Sequence, residues 1–314
     1  MVRVKRTPDL AGWNEPADEP GPIVPRVSIP PFLRLPQGVT AKNIETARGT
    51  LAVLDNYDAL DQTAGASAAG TAVLIPGFLG SKEDFIAILS PLAAAGQHAI
   101  AIDLAGQFES AGPAGADTYS LAGYAADVLA LIAVVGHPVD LLGHSMGGLV
   151  AREVVLGDPL AVRSLVLMAS GPSAVPILQQ QRMHMFSQLL VAQGMQAVWS
   201  AKQALEAAEG VVAPSDPEIA SFLDRRFMAN SPGSLMAMVD LLCTAPDRND
   251  ELATVAPPTL VCFGELDDVW SPNDQRAMAK AIDATVAAFA GVGHSPAVED
   301  PARTVDALTQ FWRG

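Results

Sequence analysis

Residues 143–148 read Gly-His-Ser-Met-Gly-Gly, and Ser145 at their centre is the residue best placed to act as a nucleophile. An apolar run suited to a strand, 139–142, precedes it and a helical pattern, 149–156, follows. A serine on so sharp a strand-to-helix turn needs very small neighbours two positions away on each side, because side chains there would collide across the turn. Gly143 and Gly147 hold those positions. The turn exposes the hydroxyl above the sheet, but a serine hydroxyl is a weak nucleophile until a base takes its proton. A histidine must therefore reach it from elsewhere in the chain.

Five histidines are available. His144 adjoins the serine, and the elbow turns its side chain away toward a supporting role. His98 and His137 lie in turns before strands, at the opposite edge of a parallel sheet, and His184 falls in a helical stretch. His294 follows the strand at 285–289 through Gly291-Val292-Gly293, which places it at the carboxyl edge, where the elbow also opens. The imidazole needs a carboxylate to fix its tautomer, and Asp267 and Asp268 both qualify, just beyond the strand at 259–263. The stretch after the strand at 164–168 reads Ala169-Ser170-Gly171-Pro172 and offers no acid. Acyl transfer also requires donors for a tetrahedral oxyanion. The backbone N–H of Met146, just after the nucleophile, and that of Phe78, in the loop Pro76-Gly77-Phe78-Leu79-Gly80, are the candidates.

These residues are carried on alternating elements. Short apolar runs at 72–75, 99–102, 139–142 and 164–168 are separated by helical patterns at 85–95, 121–135 and 149–156, which predicts a parallel sheet flanked by helices. The alternation resumes with a strand at 259–263, a helix at 273–282, a strand at 285–289 and a helix at 302–312. Segments at 43–47 and 50–54 read as a strand pair around Arg48-Gly49, and 64–70 as a loop. Between 173 and 255 only helical patterns occur, at 180–190, 195–208, 217–229 and 235–243. The expected organisation is a Pro-rich arm over 1–38, a first core part over 39–172, an inserted helical cap over 173–255 and a second core part over 256–314.

The chain has 314 residues, half of them hydrophobic and only 17% charged, which is ample for a large core. With 34 acidic against 19 basic residues and a net charge of −15, it lacks the cationic surface that nucleic acid requires. Cys243 and Cys262 show no ligand spacing and read as buried free thiols, and no cofactor or metal is called for. Arg3, Lys5 and Arg6 are followed by Pro8 and Asp9 where a secretory signal needs an apolar run. The uncharged stretch 85–102 is divided by Pro91, Gly96, Gln97 and His98. The expectation is a cytoplasmic protein without a membrane segment, acting on a small molecule.

From about residue 43 onward the chain resembles the α/β-hydrolase superfamily, especially its cap-bearing bacterial esterase-like members. The elbow, the Pro-Gly-Phe loop, the segment Gly264-Glu265-Leu266-Asp267-Asp268-Val269-Trp270-Ser271-Pro272 and Gly293-His294-Ser295-Pro296-Ala297-Val298-Glu299 carry the likeness. It implies an α/β-hydrolase fold, with a mostly parallel central sheet and an inserted cap. It also implies a Ser145–His294–Asp267 triad, because the family's acid stands three residues after the glycine ending its strand. Pro76 departs from the histidine many members carry. Relatives with an aspartate nucleophile are disfavoured by Ser145, which leaves carboxylic esters as the default substrates. Lactones, thioesters, carbon–carbon bonds and perhydrolysis are alternatives on the same triad, and a non-catalytic ligand-binding relative is the rival class. Six of the ten methionines fall between 183 and 238, which suggests an adjustable apolar acyl pocket or, equally in keeping with helical spacing, ordinary helix packing.

Overall fold

The computed structural model describes residues 28–60, 70–113, 119–208, 210 and 212–314. Most of the Pro-rich arm, and all but the last residue of the loop at 64–70, lie outside this range. Among the described residues eight strands form one sheet: β1 (Thr40–Thr46), β2 (Gly49–Asp55), β3 (Thr71–Ile75), β4 (His98–Ile102), β5 (Val139–His144), β6 (Val162–Met168), β7 (Thr259–Gly264) and β8 (Thr285–Phe289). Their order is β1-β2-β4-β3-β5-β6-β7-β8. The β1–β2 hairpin and the β2–β4 pair are antiparallel, and every other pairing is parallel. The central strands β3 and β5 are buried along their whole length, mostly by apolar residues, because helices cover both faces and leave no solvent side to alternate toward.

On one face α1 (Ile86–Ala94) and α10 (Pro301–Arg313) enclose a core containing Phe85, Leu89, Leu142 and Leu308. On the other, α2 (Leu121–Val135), α3 (Met146–Gly157) and α8 (Pro272–Ala281) cover Val73, Leu141, Leu165 and Phe263. Capping chemistry sets the limits of α2. The Ser120 hydroxyl accepts the Gly123 N–H at its start, and Gly136, at φ 83°, ends it in the left-handed region that glycine tolerates.

Between β6 and β7 the chain runs through α4 (Ile177–Ala208), α5 (Pro217–Met228), α6 (Pro232–Thr244) and α7 (Asn249–Val255). Gly194, at φ 79°, breaks α4 into two arms. The excursion leaves and returns at one place: Ala174 N–H donates to Ala245 O at 2.8 Å and Val175 N–H to Leu242 O at 2.9 Å. Its α4 and α5 helices surround an apolar cluster of their own, including Trp199, Phe222, Leu223 and Phe227. The α6 helix bridges inward, with Leu235 in that cluster and Met238 and Leu242 in the sheet core. The short α7 packs on the sheet side instead, burying Leu252. Among the described residues no helix is long and apolar enough to cross a membrane.

Candidate active site

At the end of β5 the backbone turns through Ser145 with φ 56° and ψ −122°, and α3 starts at the next residue. This is a strained conformation for a residue with a side chain, and neighbouring contacts hold it in place. The Ser145 N–H continues the ladder to Met168 O at 2.8 Å. The glycine requirement is steric: a Cβ on Gly143 would come within 2.1 Å of the Gly147 carbonyl oxygen, and one on Gly147 within 2.5 Å of that of Ile75.

His294, after β8, points its Nε2 at Ser145 Oγ, 2.9 Å away, and its Nδ1 at Asp267 Oδ1, also 2.9 Å away. A carboxylate only accepts, so Nδ1 carries the proton and Nε2 is free to accept from the serine hydroxyl. Asp267 is buried after β7, and further donors fix its carboxylate: the Val269 N–H on Oδ1 at 2.9 Å and Gln275 Nε2 on Oδ2 at 2.8 Å. Burial alone would depress the His294 pKa, but the charge and hydrogen bond of Asp267 outweigh it and hold the value above that of an ordinary histidine. Asp268 makes no such contact with the imidazole. Burial raises its pKa, opposed by the nearby His294 and reinforced by Asp267.

His144 supports the same loop. Its Nε2–H donates to the His294 carbonyl at 2.8 Å, and burial, with His294 nearby, lowers its pKa to about 4. The imidazole is thus a neutral donor at neutral pH. His98, bonded to Asp55 and Thr71, begins β4 and lies at the other end of the sheet, where His137 also sits; His184 is exposed on α4.

The 76–80 loop passes directly against the serine, since a Cβ on Gly77 would stand 2.9 Å from Ser145 Cβ and 3.3 Å from Oγ. Gly80 N–H closes a turn on Gly77 O at 3.1 Å, with Leu79 at φ 59° in its third position, the pattern of a type II turn. Phe78 meets Phe186 of α4 edge to face, 5.7 Å between ring centres. The Met146 N–H belongs to the first turn of α3, where backbone donors and the helix dipole favour a negative charge.

Comparison with known proteins places the chain in a family. The sequence profile of the alpha/beta hydrolase family matches residues 72–307. The chain belongs to that family. Among curated relatives, the provisionally named carbamate hydrolase RutD of Variovorax paradoxus is 31% identical over 251 residues, covering 77% of this chain and 91% of its own. The pimeloyl-[acyl-carrier protein] methyl ester esterase of Aeromonas hydrophila is 26% identical over 225 residues, covering 67% and 83%. A thermophilic esterase from Thermogutta terrifontis superposes with a TM-score of 0.68 at 22% identity, over 87% of this chain and 98% of that one, a likeness of fold.

The sequence assigns no role to two side chains of this α/β-hydrolase, one of them at the end of the His294 motif. Glu299 accepts the Gly293 N–H at 2.7 Å and the Ser295 N–H at 2.9 Å, gripping the loop on both sides of His294. Gln107, in the loop after β4, donates to Gly77 O at 2.9 Å. A glutamate five residues past a candidate histidine was a visible signal; nothing local marked Gln107. The methionines of the α4–α6 stretch scatter: Met185 and Met228 are exposed, Met238 is deep in the sheet core, Met183 packs against that core, and Met195 and Met236 pack on the α4–α5 cluster. A cavity of about 270 Å³ between Ile29, Leu79, Trp199, Leu223 and Phe227 has none of them among its described lining residues. Cys262 is buried and Cys243 only partly so, both as free thiols; the expectation of two buried thiols is corrected at Cys243, which lies near the end of α6.

Proposed function

We propose that this α/β-hydrolase cleaves carboxylic esters or related small acyl substrates, with Ser145 as nucleophile, His294 as base and Asp267 as the acid that orients it. The observation carrying this reading is the unbroken pair of 2.9 Å contacts from Ser145 Oγ through the imidazole to Asp267. In the first half-reaction Oγ attacks the acyl carbon while its proton passes to His294 Nε2. The tetrahedral oxyanion takes the Phe78 and Met146 N–H groups, and the imidazolium then protonates the departing alcohol. In the second, water gives a proton to Nε2 and attacks the acyl-enzyme, and the serine leaves with that proton restored. Helices α4–α6 serve as the cap over this centre, reaching it through the Phe78–Phe186 contact.

Carbamate cleavage is the second reading, favoured by the 31% identity to RutD. It would use the same attack on a carbonyl carbon. A panel of acyl esters, lactones, thioesters and carbamates, run beside a fluorophosphonate probe, tests both. Ester turnover, a covalent adduct on Ser145 and loss of both in a folded Ser145→Ala variant are expected. Full activity in that variant overturns the mechanism, and turnover of carbamates alone transfers it to the second reading.

A further inference from the structure

Gln107 is fully buried, and both ends of its amide are committed. Oε1 accepts the Leu104 N–H of its own loop at 3.2 Å, while Nε2 donates to the Gly77 carbonyl, 30 residues earlier, at 2.9 Å. Met238 of α6 closes the far side, its sulfur 3.9 Å from the same nitrogen. A buried glutamine of this kind has one orientation, and that orientation delivers an N–H to a single carbonyl oxygen.

The consequence follows from the planarity of the peptide. In a trans unit the carbonyl of one residue and the N–H of the next point in opposite directions. Fixing Gly77 O toward Gln107 therefore turns the Phe78 N–H the other way. Gly77 lies against Ser145, so close that a Cβ would overlap the serine's own, and the Gly77–Phe78 peptide therefore runs beside the nucleophile. Without the clamp the Gly77 carbonyl keeps only the turn bond from the Gly80 N–H at 3.1 Å, and two features let the peptide rotate. Glycine on its N-terminal side offers little steric resistance, and Leu79 already holds the turn in a costly positive-φ conformation.

We propose that Gln107 is a positioning residue for the oxyanion hole, acting through the Gly77–Phe78 peptide and touching no substrate itself. The proposal rests on the triad reading above. It requires that losing the donor weaken the transition state while leaving substrate binding alone.

The test compares Gln107→Met and Gln107→Leu, two apolar variants without a donor, on three readouts. These are kcat/KM for an acyl ester, the affinity for a trifluoromethyl ketone that adds to the serine, and the affinity for the non-hydrolysable amide of the same acyl group. Loss of one oxyanion donor costs roughly 10²-fold in kcat. The expected result is a fall of about that size in kcat/KM and in ketone affinity together, with amide affinity unchanged. Either folded variant matching the wild type in ketone affinity overturns the proposal, as does a parallel loss of ketone and amide affinity, which marks a merely structural role. Fluorophosphonate labelling of wild-type Ser145 separates the two levels. Labelling with unaffected variants removes Gln107 alone, and an unlabelled, inactive wild type takes the triad reading with it.

Discussion

At Ser145 the chemistry and the backbone make the same demand. The hydroxyl must stand clear of the sheet, so the chain turns at φ 56°, and the turn excludes side chains at Gly143 and Gly147. That coincidence confines the signal to six contiguous residues and makes it legible in the sequence. The acid was not legible in the same way, because spacing left Asp267 and Asp268 equivalent and only the family likeness separated them. The structure gives them different partners: Asp267 holds His294 Nδ1, the Val269 N–H and Gln275, while Asp268 is an incompletely buried neighbour. Asp267→Asn is therefore expected to lower kcat by about 10⁴-fold, and Asp268→Asn by far less. The pH profile carries the sign. The base must be neutral, and Asp267 raises the His294 pKa, so the acid limb of kcat/KM lies above the ordinary histidine value. Removing the Asp267 charge shifts that limb to lower pH. His144, at about 4, contributes nothing to it. A limb that stays in place in Asp267→Asn counts against the assignment.

At the scale of elements, what the sequence reveals depends on whether the cause is local. The α2 helix was legible to the residue because Ser120 and Gly136 punctuate it, whereas β5 and β6 each run two residues beyond their apolar runs because neighbouring strands extend the ladder. The short α7 was missed: Asn249, Asp250 and Glu251 show no apolar period, and only Leu252 is buried. The clamp on the histidine loop is tertiary in the same sense. Glu299 belongs to the short helix α9 (Pro296–Glu299), and its carboxylate folds back on the two N–H groups flanking His294. An amide in its place accepts one of these and opposes the other with its own N–H. Glu299→Gln is expected to cost about 1.5–3 kcal/mol of stability, the range for hydrogen bonds to a charged group. It should also move the acid limb downward, because the Glu299 charge helps to raise the His294 pKa. Denaturant titration and the pH profile check the two effects separately, and an unchanged midpoint with an unchanged limb defeats the clamp.

For the whole molecule the question is what joins the excursion between β6 and β7 to the sheet beneath it. One junction is ionic and buried. Arg226 of α5 reaches Asp84, in the turn leading into α1, with its Nη1 2.7 Å from Oδ1, and its other nitrogen donates to Ser28 O at 2.9 Å. Both side chains are under 5% exposed. Asp84 in turn receives the Ser81 N–H and lies so near Gly80 that a Cβ there would come within 2.4 Å of Oδ2. The pair therefore fastens α5, the residues beginning at Ser28 and the end of the 76–80 loop at one point. Withdrawing two charges from water costs nearly what their attraction returns, so the intact pair adds little net stability, while half of it is a liability. Arg226→Met is expected to destabilise the protein by about 3–5 kcal/mol, because Asp84 is left charged and buried without its partner. The double variant Asp84→Leu with Arg226→Met should recover most of that loss, since it removes both charges. Urea unfolding of the wild type, the two single variants and the double gives the coupling directly. If the double variant is as unstable as the sum of the singles, the two side chains act independently and this junction does not hold the α5 helix to the sheet.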